Sequence, residues 1–97
     1  MTGTTLSSDG LDLRRRKLKY RCWHRGTREM DLILGRFADS RVAELDSPAL
    51  AELERLMDVP DPLLFAWIIG ASPPEAGFDT TLMRQLRAFH MASVREP

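Results

Sequence analysis

The chain has 97 residues, of which 43% are hydrophobic and 29% charged, a composition typical of one small globular domain. Fourteen Lys and Arg side chains balance fourteen Asp and Glu side chains, and the single Cys excludes an intramolecular disulfide. One Cys and two His are too few soft ligands for a closed zinc site, and the longest apolar run, residues 63–71, is about half a membrane span. We therefore expect neither a metal site nor a membrane span.

The chain begins with a polar segment. Residues 1–10 are small and polar and predict a disordered tail, followed by a single helical domain over residues 11–94. Asp12 or Asp9 is expected to begin a first helix, which runs to about residue 24. Three side chains of this helix are spaced to share its buried stripe: Leu11, Leu18 and Cys22.

A second helix is expected directly after the first. Gly26 supplies the left-handed residue that commonly ends a helix, and Thr27 is a suitable N-cap for the next one. Glu29 and Asp31 then lie in the first turns, where acidic side chains favour the positive end of the helix dipole. Its core-facing residues follow helical spacing: Met30, Ile33, Leu34, Phe37 and Ala38.

Three further helices complete the prediction. Ser47 as N-cap and Pro48 as first helical residue begin the third, and Asp61 with Pro62 repeats the pattern for the fourth. The fourth is apolar almost all round, so it is either central to a bundle or part of a contact surface. Asp79 is the expected N-cap of the fifth. Since no run alternates as a half-buried strand does, the sequence predicts an all-α fold, a compact bundle of five short helices.

Charge is unevenly distributed along the chain. Residues 14–28 contain eight basic side chains and no acidic one, whereas residues 29–61 contain nine acidic and three basic side chains. This pattern is typical either of an internal dipole or of a face for a charged partner. A small helical nucleic-acid-binding protein, or a generic adaptor that uses residues 14–28, is therefore an alternative function, although the neutral net charge disfavours nucleic acid. Trp23 is either buried or joins Tyr20 in an aromatic and basic surface.

The sequence offers no constellation for catalysis. Cys22 and His24 lie two residues apart, which places them on different faces of a helix, and His90 falls on the apolar side of the last helix. Neither a Ser-His-Asp arrangement nor a glycine-rich phosphate loop is recognisable. We expect no catalytic, metal-binding or cofactor-binding residue and no enzymatic activity of the chain alone.

One surface patch is predicted at the start of the second helix. If Met30 and Phe37 face the core, then Arg28, Leu32 and Arg36 point outward, with Glu29 at the edge. An exposed Leu surrounded by Arg and Glu is typical of a small docking patch. The alternative is purely structural, because helix ends also favour a glycine, a capping threonine and acidic residues.

Two segments resemble a known family. RGTREMDLIL, at residues 25–34, is similar to the RGxxE region of the small succinate dehydrogenase assembly (flavinylation) factors, and YRCWHRG, at residues 20–26, leads into it as in family members. DVPDPLLFAWIIG, at residues 58–70, resembles the family's D-x-D-x-L-F-x-W segment, stretched here by one position. The resemblance covers residues 13–92 and contains both motifs in the family's order.

The resemblance implies a five-helix bundle and a function. Family members are chaperones that bind the flavoprotein subunit of succinate dehydrogenase, and of related fumarate reductases, and promote covalent attachment of FAD to a histidine of that subunit. The FAD then belongs to the client, and no cofactor is bound stably by this chain. With the docking patch, the predicted partner-binding residues are Arg25, Gly26, Arg28, Glu29, Asp31 and Leu32.

These residues suggest a docking hypothesis. Gly26 lets the turn approach the partner closely, while Arg25 and Glu29 pair with groups of that partner. We expect a monomer. The chain has no amphipathic, Arg-rich and Ser-rich leader, so a bacterial cytoplasm is expected, or the mitochondrial matrix if the protein is eukaryotic.

Overall fold

A computed structural model describes residues 10–95 of the chain, without the side chain of Arg95. The predicted all-α fold is confirmed: within these residues the structure contains five α-helices, two short 3₁₀ turns and no strand. Of the predicted disordered tail, residues 1–9 lie outside the described residues. The helices are α1 (Leu13–Trp23), α2 (Arg28–Arg41), α3 (Ser47–Leu56), α4 (Asp61–Ile69) and α5 (Thr81–Arg95), and the 3₁₀ turns are Val42–Glu44 and Ala76–Phe78.

The first two helices begin as predicted. The Asp12 carboxylate accepts a hydrogen bond of 2.8 Å from the backbone N–H of Arg15, which caps α1. The Thr27 hydroxyl accepts one of 3.3 Å from the backbone N–H of Met30, which caps α2. The α2 stripe is also confirmed, with Ile33 half-buried and its other members buried.

The predicted cap of α3 is wrong by one residue. Asp46 is the N-cap, and its carboxylate accepts a 3.0 Å hydrogen bond from the backbone N–H of Ala49. Ser47, the predicted cap, is already helical, and Pro48 follows it within the first turn, where its missing N–H costs nothing. Asp46 and Ser47 both have a side-chain oxygen suited to capping, and here the Asp46 carboxylate is the one that accepts from a free backbone N–H of the first turn.

The predicted caps of α4 and α5 are also wrong. Pro60 occupies the cap position of α4 and has no side-chain acceptor, while Asp61 is already helical and its carboxylate accepts from Arg25. Before α5, the Thr80 hydroxyl accepts a 3.1 Å hydrogen bond from the backbone N–H of Met83. Asp79 instead lies 3.8 Å from the guanidinium of Arg84 at the surface.

The hydrophobic core receives large side chains from every helix. Trp67 of α4 is buried, and its ring centroid lies 5.3 Å from that of Phe78. One side of α4, with Leu64, Trp67 and Ile68, is buried in the bundle, whereas Leu63 and Ile69 on its other side are exposed, so each of the two interpretations holds for part of this helix. The fully buried side chains are Trp67, Phe37, Leu18, Leu34, Leu50, Leu53, Leu56, Leu64, Ile68, Leu82, Met83 and Leu86. None of the helices within residues 10–95 is long and apolar enough to cross a membrane.

α1 and α2 pack through a glycine. A Cβ atom added to Gly35 of α2 would lie 2.2 Å from Cδ2 of Trp23, so the indole covers the bare backbone of Gly35. The Trp23 Nε1–H also donates a 3.0 Å hydrogen bond to Asp39. Trp23 thus packs between the helices, while Tyr20 stacks on His24 instead.

Candidate functional site

The turn between α1 and α2 is fixed by hydrogen bonds to Asp31, which lies in the first turn of α2. Gly26 has a φ of +111°, a backbone conformation that side chains with a Cβ rarely adopt. The Asp31 carboxylate accepts hydrogen bonds from the backbone N–H of Arg25 at 2.5 Å and of Gly26 at 3.3 Å. No atom would contact a Cβ at Gly26, so the glycine is required by the backbone conformation and not by lack of space.

The side chain of Arg25 points into the protein. Its Nε donates to the Asp61 carboxylate at 2.8 Å, and its two terminal nitrogens donate to the carbonyl oxygens of Met57 at 2.5 Å and Val59 at 2.7 Å. Only 10% of the side chain is exposed. Arg25 therefore fastens the α1–α2 turn to the connection between α3 and α4.

This geometry changes the role expected of two predicted residues. The nitrogens of Arg25 are engaged inside the protein, and so is the Asp31 carboxylate. Both residues therefore position the turn. The sequence predicts Asp61 only as a helix cap, whereas in the structure its carboxylate pairs with Arg25; its place in the second motif was the one signal of this contact.

A shallow apolar depression lies beside the turn. It has a volume of about 420 Å³ and joins the start of α2 to the start of α4, which are the two segments that carry the motifs. Glu29, which lines the depression, is exposed to solvent. Sequence reasoning did not identify Pro62 and Phe65 as site residues. The lining residues are Thr27, Glu29, Met30, Asp61, Pro62 and Phe65.

Arg28 and Leu32, the remaining members of the predicted patch, lie in different environments. Arg28 is exposed, as expected, but Leu32 is half-buried, so the prediction of an exposed Leu is wrong. Leu32 lines a cavity of about 100 Å³ between α2 and α5, together with Phe89. The reason is tertiary: α5 packs along α2, with the ring of Phe89 edge-on to that of Phe37. Leu32 therefore borders α5 and does not line the depression.

Five of the eight cations in the basic run, residues 14–28, form ion pairs with carboxylates among the described residues, including Arg15 with Asp12 and Arg25 with Asp61. Arg14 pairs with Glu54 at 2.9 Å, Lys19 with Asp39 at 3.4 Å and Arg21 with Asp58 at 3.1 Å. The hydrogen bond from Arg14 holds the pKa of Glu54 below its ordinary value. This arrangement is the internal dipole that the sequence offered as one interpretation, and it weakens the nucleic-acid alternative.

The thiol and the two imidazoles do not converge. Cys22 is buried, with its Sγ 3.9 Å from the sulfur of Met57, and burial raises its pKa to about 12. His24 stacks on Tyr20, while His90 lines the cavity beside α5. Over residues 10–95, no group of three His, Cys, Asp or Glu side chains is arranged to hold a metal ion.

Comparison with known proteins adds a family to this geometry. The sequence profile of the family described as "Flavinator of succinate dehydrogenase" matches residues 16–90. A protein named FAD assembly factor SdhE from Acetobacter pasteurianus is 33% identical over 81 residues, which are 84% of this chain and 74% of that protein. A protein of the same name from Coxiella burnetii is 31% identical over 72 residues, 74% of this chain and 87% of that protein.

A eukaryotic relative also matches. Succinate dehydrogenase assembly factor 2, mitochondrial, from Dictyostelium discoideum is 34% identical over 70 residues, 72% of this chain and 50% of that protein. No solved structure matches the chain significantly. The resemblance inferred from the two motif segments is confirmed, and this chain belongs to the family of succinate dehydrogenase flavinators.

Proposed function

We propose that this protein is an FAD assembly factor that binds the flavoprotein subunit of succinate dehydrogenase and promotes the covalent attachment of FAD to it. The observation that carries the proposal is the junction of the two family motifs at one surface. Arg25 of the first motif is bonded to Asp61 of the second, and the apolar depression lies across their junction. Membership of the flavinator family supports the same conclusion.

The docking surface consists of residues at the junction of the two motifs whose side chains or backbone reach the surface. Gly26 presents bare backbone, so a partner atom can approach the turn closely. Arg28 and Glu29 offer charges of opposite sign, and Pro62 and Phe65 offer an apolar floor. A polar rim around an apolar centre is the usual composition of a protein–protein interface.

The protein acts as a chaperone and not as a catalyst. The FAD and the histidine to which it becomes attached belong to the client, so the bond-forming chemistry takes place there. The contribution of this chain is to bind one conformation of the client more tightly than the others, which raises the population of that conformation. A fumarate reductase flavoprotein, which has the same chemistry, is a second proposed client, and the compartment is that of the client.

The test is in-gel flavin fluorescence of the denatured succinate dehydrogenase flavoprotein, produced with and without this protein. We expect a fluorescent band that depends on the chain and fades with Glu29→Ala, because the variant removes an exposed charge of the docking surface. Glu75→Ala is the matched control, since Glu75 is also exposed but lies in the connection before α5. Its band should equal that of the wild-type protein.

One result would contradict the proposed function, and another would change only the role of Glu29. Equal fluorescence with and without the chain would remove the assembly role. A large drop in the thermal stability of Glu29→Ala would instead assign Glu29 to the helix start, as the structural alternative has it.

A further inference from the structure

α1 has an exposed surface opposite its buried side. Leu18 and Cys22 face the core, and a second set of α1 side chains, whose members also recur every three or four positions, shares the opposite, exposed side of the helix. Tyr20 is 63% exposed and Leu13 is 57% exposed, although both are large and hydrophobic. We name this surface the α1 face; it consists of Leu13, Arg16, Lys17, Tyr20 and His24.

Two cations of the α1 face remain available. The neighbouring Arg14 and Arg21 are compensated by Glu54 and Asp58. Arg16 and Lys17 are exposed, and neither forms an ion pair with any of the residues that the structure describes. The α1 face therefore carries a local positive charge in a chain with no net charge.

The aromatic part of the α1 face is held in a fixed arrangement. The rings of Tyr20 and His24 stack with centroids 3.9 Å apart and an angle of 19° between their planes. Nδ1 of His24 lies 2.7 Å from the carbonyl oxygen of Tyr20, and because a carbonyl only accepts, the imidazole donates this hydrogen bond. A preformed exposed stack loses little side-chain entropy on binding, which favours its use as a contact.

A depression borders the same surface. It has a volume of about 400 Å³ and lies between α1 and α3, where Leu13 and Lys17 form part of its wall. A partner side chain can enter there while a neighbouring carboxylate pairs with Lys17. The surface thus combines apolar, aromatic and cationic groups within one helix.

This chemistry fits an acidic protein segment better than other anions. Nucleic-acid binding typically uses about six to ten phosphate contacts, and recognition of an anionic membrane about four to eight clustered basic residues. The α1 face offers two cations, Arg16 and Lys17, that form no ion pair with residues 10–95, and they match one or two carboxylates. Tyr20 and Leu13 supply the apolar contact that a protein segment provides and a phosphate backbone does not.

The α1 face is continuous with the proposed docking surface. α1 ends at Trp23, and His24 immediately precedes the Arg25–Gly26 turn. We infer that the α1 face is a second contact for the same flavoprotein client and receives an acidic segment of that client beside an apolar side chain. This inference rests on the proposed function, because the client is the same.

The experiment measures binding of the full chain to the flavoprotein subunit by biolayer interferometry at low and moderate salt. Arg16→Glu and Lys17→Glu are each expected to raise Kd about fivefold to tenfold, mainly through slower association, and to reduce the salt dependence of association. Tyr20→Ala is expected to raise Kd about tenfold through faster dissociation. The matched control is Arg84→Glu, which reverses an exposed charge on α5 and should leave Kd unchanged.

Glu29→Ala is measured in parallel, so that the two proposals are tested separately. If Glu29→Ala weakens binding but Arg16→Glu and Lys17→Glu behave like Arg84→Glu, the inference about the α1 face is overturned and the proposed function stands. If the wild-type chain does not bind the flavoprotein, both are overturned. If charge reversal abolishes binding to a short oligonucleotide and leaves flavoprotein binding intact, the α1 face is a nucleic-acid surface and the inference is wrong. Unchanged thermal unfolding confirms that each variant is folded.

Discussion

The side chain of Arg25 links the turn proposed for docking to the rest of the fold. Its guanidinium bonds the turn that presents Gly26 to the connection that precedes α4. A loss of function in an Arg25 variant therefore does not show that Arg25 touches the client. Stability has to be measured beside activity before the residue is assigned to the interface.

We predict that Arg25→Ala lowers the free energy of unfolding by about 2–4 kcal/mol, measured by urea denaturation. The substitution leaves the Asp61 carboxylate, which is 19% exposed, and two carbonyl oxygens without their donor. Arg28→Ala is the control, because Arg28 is exposed, and its effect should be below about 0.5 kcal/mol. Equal stability of the two variants would show that the bonds of Arg25 contribute nothing to folding.

Cys22 gives a second prediction at the same scale, which concerns pH. Burial raises the pKa of its thiol from the ordinary value of 9.0 to about 12 in the folded protein. Above pH 9 the unfolded chain loses this proton while the folded protein keeps it, so unfolding becomes easier. The contribution of Cys22 to stability should be complete below pH 9 and fall steadily between pH 9 and pH 12.

The measurement is urea denaturation across this pH range, with Cys22→Ala as the control. The variant lacks the thiol, so its stability should fall less steeply with pH than that of the wild-type protein. Identical slopes would contradict a raised pKa of Cys22 in the folded protein.

At the scale of elements, the contact between α1 and α2 depends on a residue without a side chain. We predict that Gly35→Ala destabilises the protein by about 1–3 kcal/mol, because its Cβ would overlap the indole of Trp23. This outcome opposes helix propensity, by which alanine would stabilise the helix by about 1 kcal/mol.

Gly77→Ala is the control for this prediction, since a Cβ there would lie 3.4 Å from the flexible guanidinium of Arg55. The double variant Trp23→Ala with Gly35→Ala tests the cause. If overlap with Trp23 is responsible, Gly35→Ala should cost less in the Trp23→Ala background than in the wild-type protein. Equal costs in both would point to another neighbour.

The helices themselves were predictable because their signals are local. Apolar periodicity and capping residues lie within each segment, and all five helices were predicted from them. The exact caps were not, because neighbouring residues such as Asp46 and Ser47 have equal intrinsic ability to cap. The local sequence does not determine which of two neighbouring side-chain oxygens accepts the hydrogen bond from the free backbone N–H of the first turn.

At the scale of the whole molecule, the candidate site depends on distant residues. Arg25 and Asp61 are 36 positions apart, and no periodicity connects them. The half-burial of Leu32 likewise follows from where α5 packs, which the pattern of α2 does not contain. The motif resemblance singles out two segments, and only the fold shows that residues of both line one depression.

The unequal distribution of charge along the chain is also explained only by the packing of the whole molecule. α1 packs beside α2 and α3, so its cations lie opposite acidic side chains that come later in the chain. Most of the cations in residues 14–28 are paired within the protein, and Arg16, Lys17 and Arg28 are the exposed ones that form no ion pair with the described residues.

The positions of the two tryptophans have an optical consequence. Trp67 is buried beside Phe78 in the core, so we expect its emission to be blue-shifted and to change only when the protein unfolds. Trp23 is half-buried, packs on Gly35 and donates its indole N–H to Asp39. Fluorescence of Trp67→Phe therefore reports on the contact between α1 and α2, and that of Trp23→Phe reports on the core. The chain thus contains two separate optical probes, one at a contact between two helices and one in the core.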